Sequence, residues 1–398
     1  MQLRLSAERD VKQQTVAPAP KDIVLVGAGH AHVAVLRALG ERPMPGVRLT
    51  LLTRQVQTPY SGMLPGLVAG TYTFEETHID CAPLAAFAGA HLLQDEAVGL
   101  DLAAKRVLCR GQSVPFDIVS IDIGSTPGTD GVDGALAHAV PVKPVDGFLA
   151  RLDAARGRIL AARGRASVVV VGGGAGGVEL VLALERRLRR DLTAQGPGAA
   201  APSFTLVTAS GDVLPGFPER LRRRMRETLA ARSIAVVTQA RVVRVEADRI
   251  ALEGGRTLAA EAVFWTTQAA AAPWLRETGL ALDAQGFIRI GPTLQSVSHP
   301  EVFAAGDIAA MDGAPRPKSG VFAVRQGKPL AENLRRLVAG QGLIRHRPQR
   351  EAMYLLSTAD GRAIGTRNGL VFAGRWVWRW KDRIDRRFME LFKMLPAR

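Results

Sequence analysis

Two short glycine runs are the residues best suited to chemistry. Gly27 and Gly29 follow the apolar run Ile23-Val24-Leu25-Val26, and Gly172, Gly174 and Gly177 follow Val168-Val169-Val170-Val171. A first glycine permits a tight turn out of a strand. A second lets the backbone approach a diphosphate, and a third allows close helix–strand packing. The helix that follows offers free N–H groups and a partial positive charge to the anion. The first run carries His32 in the third place. That ring has to be met by a wider helix–strand separation or by pointing outward. One such run is a weak signal, since any βα turn can use glycine. Two in one chain, each opening a domain-sized segment and sharing Val24/Val169, Val26/Val171 and Val33/Val178, are a much stronger one.

Other polar residues are less eloquent. A ribose-binding carboxylate is expected at the end of the strand after each glycine turn. Here Thr53 and Thr208 stand in those places. Thr208 removes the usual obstacle to a 2′-phosphate, with Ser210, Arg220 or Arg222 as candidate partners, so NADH and NADPH both remain open. His30 and His32 lie two apart with no third ligand pattern, so no metal is expected. Cys81 and Cys109 are the only cysteines. They form no C-x-x-C pair, which excludes a dithiol centre and a disulfide scaffold.

These residues need strands and helices to position them. An α/β fold is predicted, with a strand near 22–26, a helix to Leu39 and a strand over Val47–Leu52. The second unit repeats the device with a strand over 167–171, a helix to about Leu192 and a strand over Phe204–Thr208. An Arg-rich helix over Glu219–Arg232 and strands near 235–238, 242–247 and 262–266 complete it. A short strand ends in Gly306-Asp307, and a helix runs from about Val321 to Val338. The segmentation is a lead-in over 1–20, a first dinucleotide domain over 21–145 and 276–340, an inserted one over 146–275, and a basic region over 341–398.

Composition agrees with a folded two-domain body: 398 residues, 47% hydrophobic and 22% charged. The net charge is +15, and residues 345–398 supply 13 Lys+Arg against 5 Asp+Glu, a net +8. The first 21 residues are polar and lack the apolar stretch of a secretory signal. Within Trp376–Leu395, Val377, Trp380, Ile384, Phe388, Leu391 and Leu395 recur at helical spacing, with arginines around them. That pattern suits an anionic membrane surface. It equally suits a helix docked on the body or on a second subunit. With phosphate-bearing cofactors as the expected anions, no nucleic-acid partner is implied.

Longer blocks identify a family. The glycine run at 27–32, Phe116–Pro127, the run at 172–179 and Val302-Phe303-Ala304-Ala305-Gly306-Asp307 together resemble flavoproteins of the pyridine nucleotide-disulfide oxidoreductase superfamily. The overall pattern is similar to type II NADH dehydrogenases. Gly29-His30-Ala31-His32-Val33 and Pro59-Tyr60-Ser61-Gly62-Met63-Leu64-Pro65-Gly66 resemble the branch linked to selenophosphate synthetase. The resemblance implies two Rossmann-like domains, with FAD on the first and NAD(P)H on the second. It implies FAD contacts at Gly27, Gly29, His30, Ala31, Thr53, Tyr60, Ser61, Gly62, Met63, Gly124, Ser125, Gly306, Asp307 and Gln326. NAD(P)H contacts fall at Gly172, Gly174, Gly177 and Glu179, with Glu179 holding the nicotinamide side. Lys318, Lys143 and Arg325 are candidate charges near the flavin. Two departures stand out. Asp122-Ile123-Gly124 replaces Ala-Thr-Gly, and Phe322 stands where the first of two glutamines precedes Gln326.

The implied activity is hydride transfer from NAD(P)H to FAD, then electron delivery to a quinone, on the inner face of the cytoplasmic membrane. Glu179, Gln326 and Lys318 are the candidate catalytic residues. A soluble reductase of selenium metabolism, with selenophosphate synthetase as partner, is the alternative. A non-catalytic redox sensor is a third reading, and a homodimer is left open.

Overall fold

The computed structural model describes residues 20–397, apart from 130, 144, 146, 163–165, 196–201, 268 and 350. Two parallel five-stranded sheets organise the chain. The first runs Val302–Ala304, Ile118–Ile121, Lys21–Val26, Val47–Thr53, Ala90–Gln94 across the sheet. The second runs Ala139–Pro141, Ala262–Trp265, Ser167–Val171, Ser203–Val207, Ile234–Val237. The two orders correspond strand for strand, with a glycine-turn strand at the centre of each. Ala139–Pro141, which precedes the predicted junction at 146, hydrogen-bonds into the second sheet.

The repetition extends past the parallel strands. Each unit carries an antiparallel three-stranded meander before its last central strand, at 97–115 in the first and 242–259 in the second. The central strands are apolar on both faces because helices cover both sides. Ile23, Leu25, Val119 and Ile121 are fully buried in the first unit, and Val168, Val170 and Phe264 in the second. Helix His30–Glu41 packs along helix Gly320–Val338, and Gly327 lets them close. A Cβ there would press on Ala34 and on the carbonyl oxygen of Ala31, 2.9 Å away.

The region after 350 is more structured than its sequence suggested. Tyr354–Ser357, Ala363–Arg367 and Leu370–Gly374 form an antiparallel sheet, and helix Arg375–Lys393 follows directly. That helix is docked on the body. The apolar stripe predicted for it is split. Val377 is buried, while Trp380, Ile384 and Leu391 are exposed beside Trp376. The buried face carries Val377, Lys381, Asp385, Met389 and Phe392. A buried ion pair within that face misled the hydropathy phase. Among the described residues no helix is long and apolar enough to cross a membrane.

Candidate active site

The first glycine turn is tight. Gly27 has φ +89°, donates its N–H to the Leu52 carbonyl, and leaves no room for a Cβ against Asp122. The backbone N–H of Ala31 (2.8 Å) and that of His32 (3.1 Å) both donate to Asp122 Oδ2. Asp122 thus caps the helix and takes the space in front of Gly29. Burial pushes its carboxyl up to about 7, against the pull of the two N–H donors.

Of the two ways of meeting His32, the outward ring is not the one taken. Its ring neither points outward nor is solvent-exposed. It is fully buried, with Nδ1 2.6 Å from the Gly27 carbonyl and Nε2 2.8 Å from Ser120 Oγ. Burial depresses the imidazole to about 4, so it sits neutral, bracing the turn against the neighbouring strand.

The second turn is built differently. Gly172 has φ +122°, and a Cβ on Gly177 would collide with the Gly172 carbonyl and lie 2.7 Å from Thr266 Oγ1. Here the third glycine is required by packing. Thr266 stands where Asp122 stands in the first unit, and donates to the Val171 carbonyl at 2.9 Å. Among the described residues no side-chain hydrogen bond reaches the first N–H groups of the helix after Gly174, and nothing lies within 4 Å in front of Gly174 or Gly176. That open N-terminus fits a diphosphate. At the strand ends, the Thr53 hydroxyl donates to the Gln55 carbonyl, and Thr208 Oγ1 accepts from the Ser210 N–H. Arg222 is held by Asp212 and Glu219, so it is not a free cation for a 2′-phosphate.

Most of the remaining predicted residues converge between the two units. Gly306 (φ +71°) turns the chain so that Asp307 is buried. Asp307 Oδ2 accepts from Lys143 Nζ (2.6 Å) and from Ser125 Oγ (3.0 Å). Burial opposes ionisation of Asp307, but Lys143 and these hydrogen bonds outweigh it and hold the carboxyl below its usual range. Gly124, also at positive φ, has open space in front of it. Gln326 Oε1 accepts the Gly306 N–H at 2.6 Å, so it fixes the turn that presents Asp307. Lys318 donates to the Ala309 carbonyl and lies 3.8 Å over the Phe287 ring; burial pushes it down to about 8. With Phe322, Gln326 and Gly306 it lines a cavity of about 220 Å³.

Across from this group, the Tyr60 ring packs on Phe388 at 4.5 Å and on His30 at 5.4 Å. The Ser61 N–H faces His30 Nε2 at 3.4 Å, and Met63 is buried. The Gly62 carbonyl accepts Lys381 Nζ at 2.6 Å, and Lys381 also bonds Asp385 at 2.6 Å. The Tyr60 hydroxyl hydrogen-bonds Asp385, and burial pushes both groups upward. Glu179 accepts the Ser357 N–H at 2.7 Å. Burial raises it to about 7, against the attraction of Lys381.

Lys381, Asp385, Phe388 and Ser357 are the residues sequence reasoning missed. The i, i+4 pair Lys381/Asp385, interrupting an apolar face, was the available signal. Neither cysteine belongs to this site's polar network: Cys81 Sγ lies at the Ile79 carbonyl and Cys109 Sγ at that of Val107, and burial raises their thiols to about 12 and 11.

The residues fit two dinucleotides. Among the described residues the second helix N-terminus is uncapped over open ground. In the first unit, the hydrogen bonds that Asp307 makes among the described residues fall on Oδ2 alone, and Gly124 faces free space. The sequence matches the pyridine nucleotide-disulphide oxidoreductase family over residues 21–327. It is 24% identical to a NADH dehydrogenase-like protein, YutJ, of Bacillus subtilis, over 86% of this chain and 91% of that protein. It is 23% identical to the type II NADH:quinone oxidoreductase of Staphylococcus aureus, over 92% and 94%. The fold superposes on NDH2 of Plasmodium falciparum, solved with NADH, at a TM-score of 0.79, 13% identity and coverage of 94% and 97%. It superposes on the sulfide:quinone oxidoreductase of Aquifex aeolicus at 0.76, 17% identity and coverage of 94% and 92%. The chain belongs to the pyridine nucleotide-disulphide oxidoreductase family, as a flavin-dependent NAD(P)H oxidoreductase that uses FAD.

Proposed function

We propose that the chain passes electrons from NAD(P)H to a membrane quinone, with FAD on the turn at 27–32 and NAD(P)H on the turn at 172–179. One observation carries the choice of acceptor: helix Arg375–Lys393 serves two surfaces at once. Its inner face delivers Lys381 and Asp385 to Tyr60, Gly62 and the vicinity of Glu179. Its outer face exposes Trp376, Trp380, Ile384 and Leu391. Arg379, Arg383 and Arg387 are exposed among them. Aromatic and basic residues together suit an anionic bilayer surface, here the inner face of the cytoplasmic membrane.

Bound between the two units, FAD supplies the two-electron carrier. The protein positions and protonates. Asp307, with Lys143 and Ser125, would hold the ribityl chain, and Gln326 fixes the Gly306 turn that presents Asp307. Glu179 would hold the nicotinamide side. Quinone reduction by NAD(P)H takes up one solvent proton beyond the hydride. Tyr60, Asp385 and Lys381 are joined by hydrogen bonds and, with Glu179 in the electrostatic reach of Lys381, would supply the groups that carry it. Lys318 lies beside the cavity with Phe322.

The test uses exposed residues, because removing the helix would strip Lys381 from the core. Trp376→Ser with Trp380→Ser should keep the rate with a soluble dye acceptor and lose sedimentation with anionic vesicles, together with most quinone reduction in them. Unchanged vesicle binding and quinone rates would overturn the membrane reading. Phe322 at the cavity favours the second reading, a soluble reductase of selenium metabolism coupled to selenophosphate synthetase. Re-oxidation of the reduced protein by selenium compounds but not by quinone would select it.

A further inference from the structure

Asp122 does a task that the second unit leaves undone. The corresponding residue there, Thr266, bonds back to the Val171 carbonyl, and among the described residues no side chain accepts from the helix N-terminus after Gly174. In the first unit Asp122 Oδ2 already accepts from Ala31 and His32. The two glycines nearest the expected diphosphate, Gly29 and Gly306, both give way to its carboxyl. Asp122 is 2% exposed.

Among the described residues, the charged surroundings give it no cation. His32, on the same helix, turns its ring to Gly27 and Ser120 and is neutral. His30 is also depressed to about 4 by burial. Asp307, from the Gly306 turn, adds a second carboxylate, and Lys143 is spent on it at 2.6 Å. Helix Gly320–Val338 reaches the region through Gln326, which is uncharged. A diphosphate brought to this N-terminus adds further negative charge beside a buried carboxylate. Like charges in one buried site cannot all remain ionised.

We propose that Asp122 is a positioning residue for FAD that takes up a proton as the cofactor binds, so that FAD affinity falls as pH rises. The proposal rests on FAD occupying the turn at 27–32. One solvent proton is bound per FAD when the apoprotein starts with Asp122 ionised, and none when it starts protonated. A neutral Asp122 gives up its charge but keeps an oxygen for the Ala31 and His32 N–H groups. Affinity is therefore flat on the acid side of the Asp122 titration and weakens on the alkaline side, by up to about tenfold per pH unit. Over the neutral range FAD itself has no titrating group.

The experiment titrates apoprotein with FAD across the neutral range, by flavin fluorescence and by calorimetry in buffers of different ionisation enthalpy. Wild type should show alkaline weakening and proton uptake approaching about one per FAD. Asp122→Asn should remove both while binding FAD at every pH. Asp122→Ser, which keeps one oxygen acceptor, serves if the amide disturbs folding. FAD binding with no pH dependence in wild type, or variants that retain the full uptake, would overturn the inference and leave the proposed function intact. Failure of wild type to bind FAD at any pH would overturn both.

Discussion

The two glycine turns of this chain share a strand order and differ in what fills the space around them. In front of Gly174 lies open ground; in front of Gly29 lies the Asp122 carboxyl. Where the second turn has Gly177 pressed against the Gly172 carbonyl, the first has His32 wedged between Gly27 and Ser120. The same backbone problem is solved once by absence of a side chain and once by a buried, hydrogen-bonded ring. The lesson is that a glycine in a fingerprint has no single meaning. Gly177 is demanded by the protein's own packing, Gly174 leaves ground for a ligand, and Gly29 makes room for a carboxylate.

Substitutions separate these meanings. Gly177→Ala should have the largest effect, about 3 kcal/mol of stability, because the Cβ meets backbone oxygen that cannot swing aside. Thermal unfolding should show it, with flavin reduction by NAD(P)H lost and FAD still bound. His32→Ala should cost about 2 kcal/mol through its cavity and the stranded Ser120 hydroxyl and Gly27 carbonyl. It should loosen FAD and spare NAD(P)H affinity. If both variants disturbed both cofactors alike, the two turns would not be independent sites. Gly174→Ala should leave stability within about 0.5 kcal/mol, yet raise the KM for NAD(P)H, because the new methyl occupies ligand ground. Smallest is Glu179→Gln. Glu179 is neutral below about pH 7 and charged above it. The pH profile of flavin reduction should lose a step near that value in the variant, with only a modest change in rate on its acid side.

Sequence alone exposed the parts of this comparison that are local. Glycine turns, the flanking apolar strands and the Gly306-Asp307 block are written in consecutive residues. Partners distant in the chain were not legible. The inward ring of His32 depends on Ser120, and the cap of its helix on Asp122, each some 90 positions away. The departure at Asp122 was visible as a letter but not as a hydrogen-bond acceptor. The C-terminal helix was legible as a helix because its periodicity is strong. Its orientation was not, since Lys381 and Asp385 neutralise each other on the buried side while tryptophans face out. Strands 354–374 were missed because short edge-like segments with glycine turns carry little periodic signal.

As proposed, two cofactor turns and one two-faced helix form an NAD(P)H:quinone reductase. Anaerobic stopped-flow spectroscopy of the purified flavoprotein on quinone-loaded anionic vesicles tests it most directly. The bound flavin should bleach rapidly with NAD(P)H, then re-oxidise fast with vesicle quinone and slowly without it. A flavin that NAD(P)H bleaches but that quinone leaves reduced would contradict it.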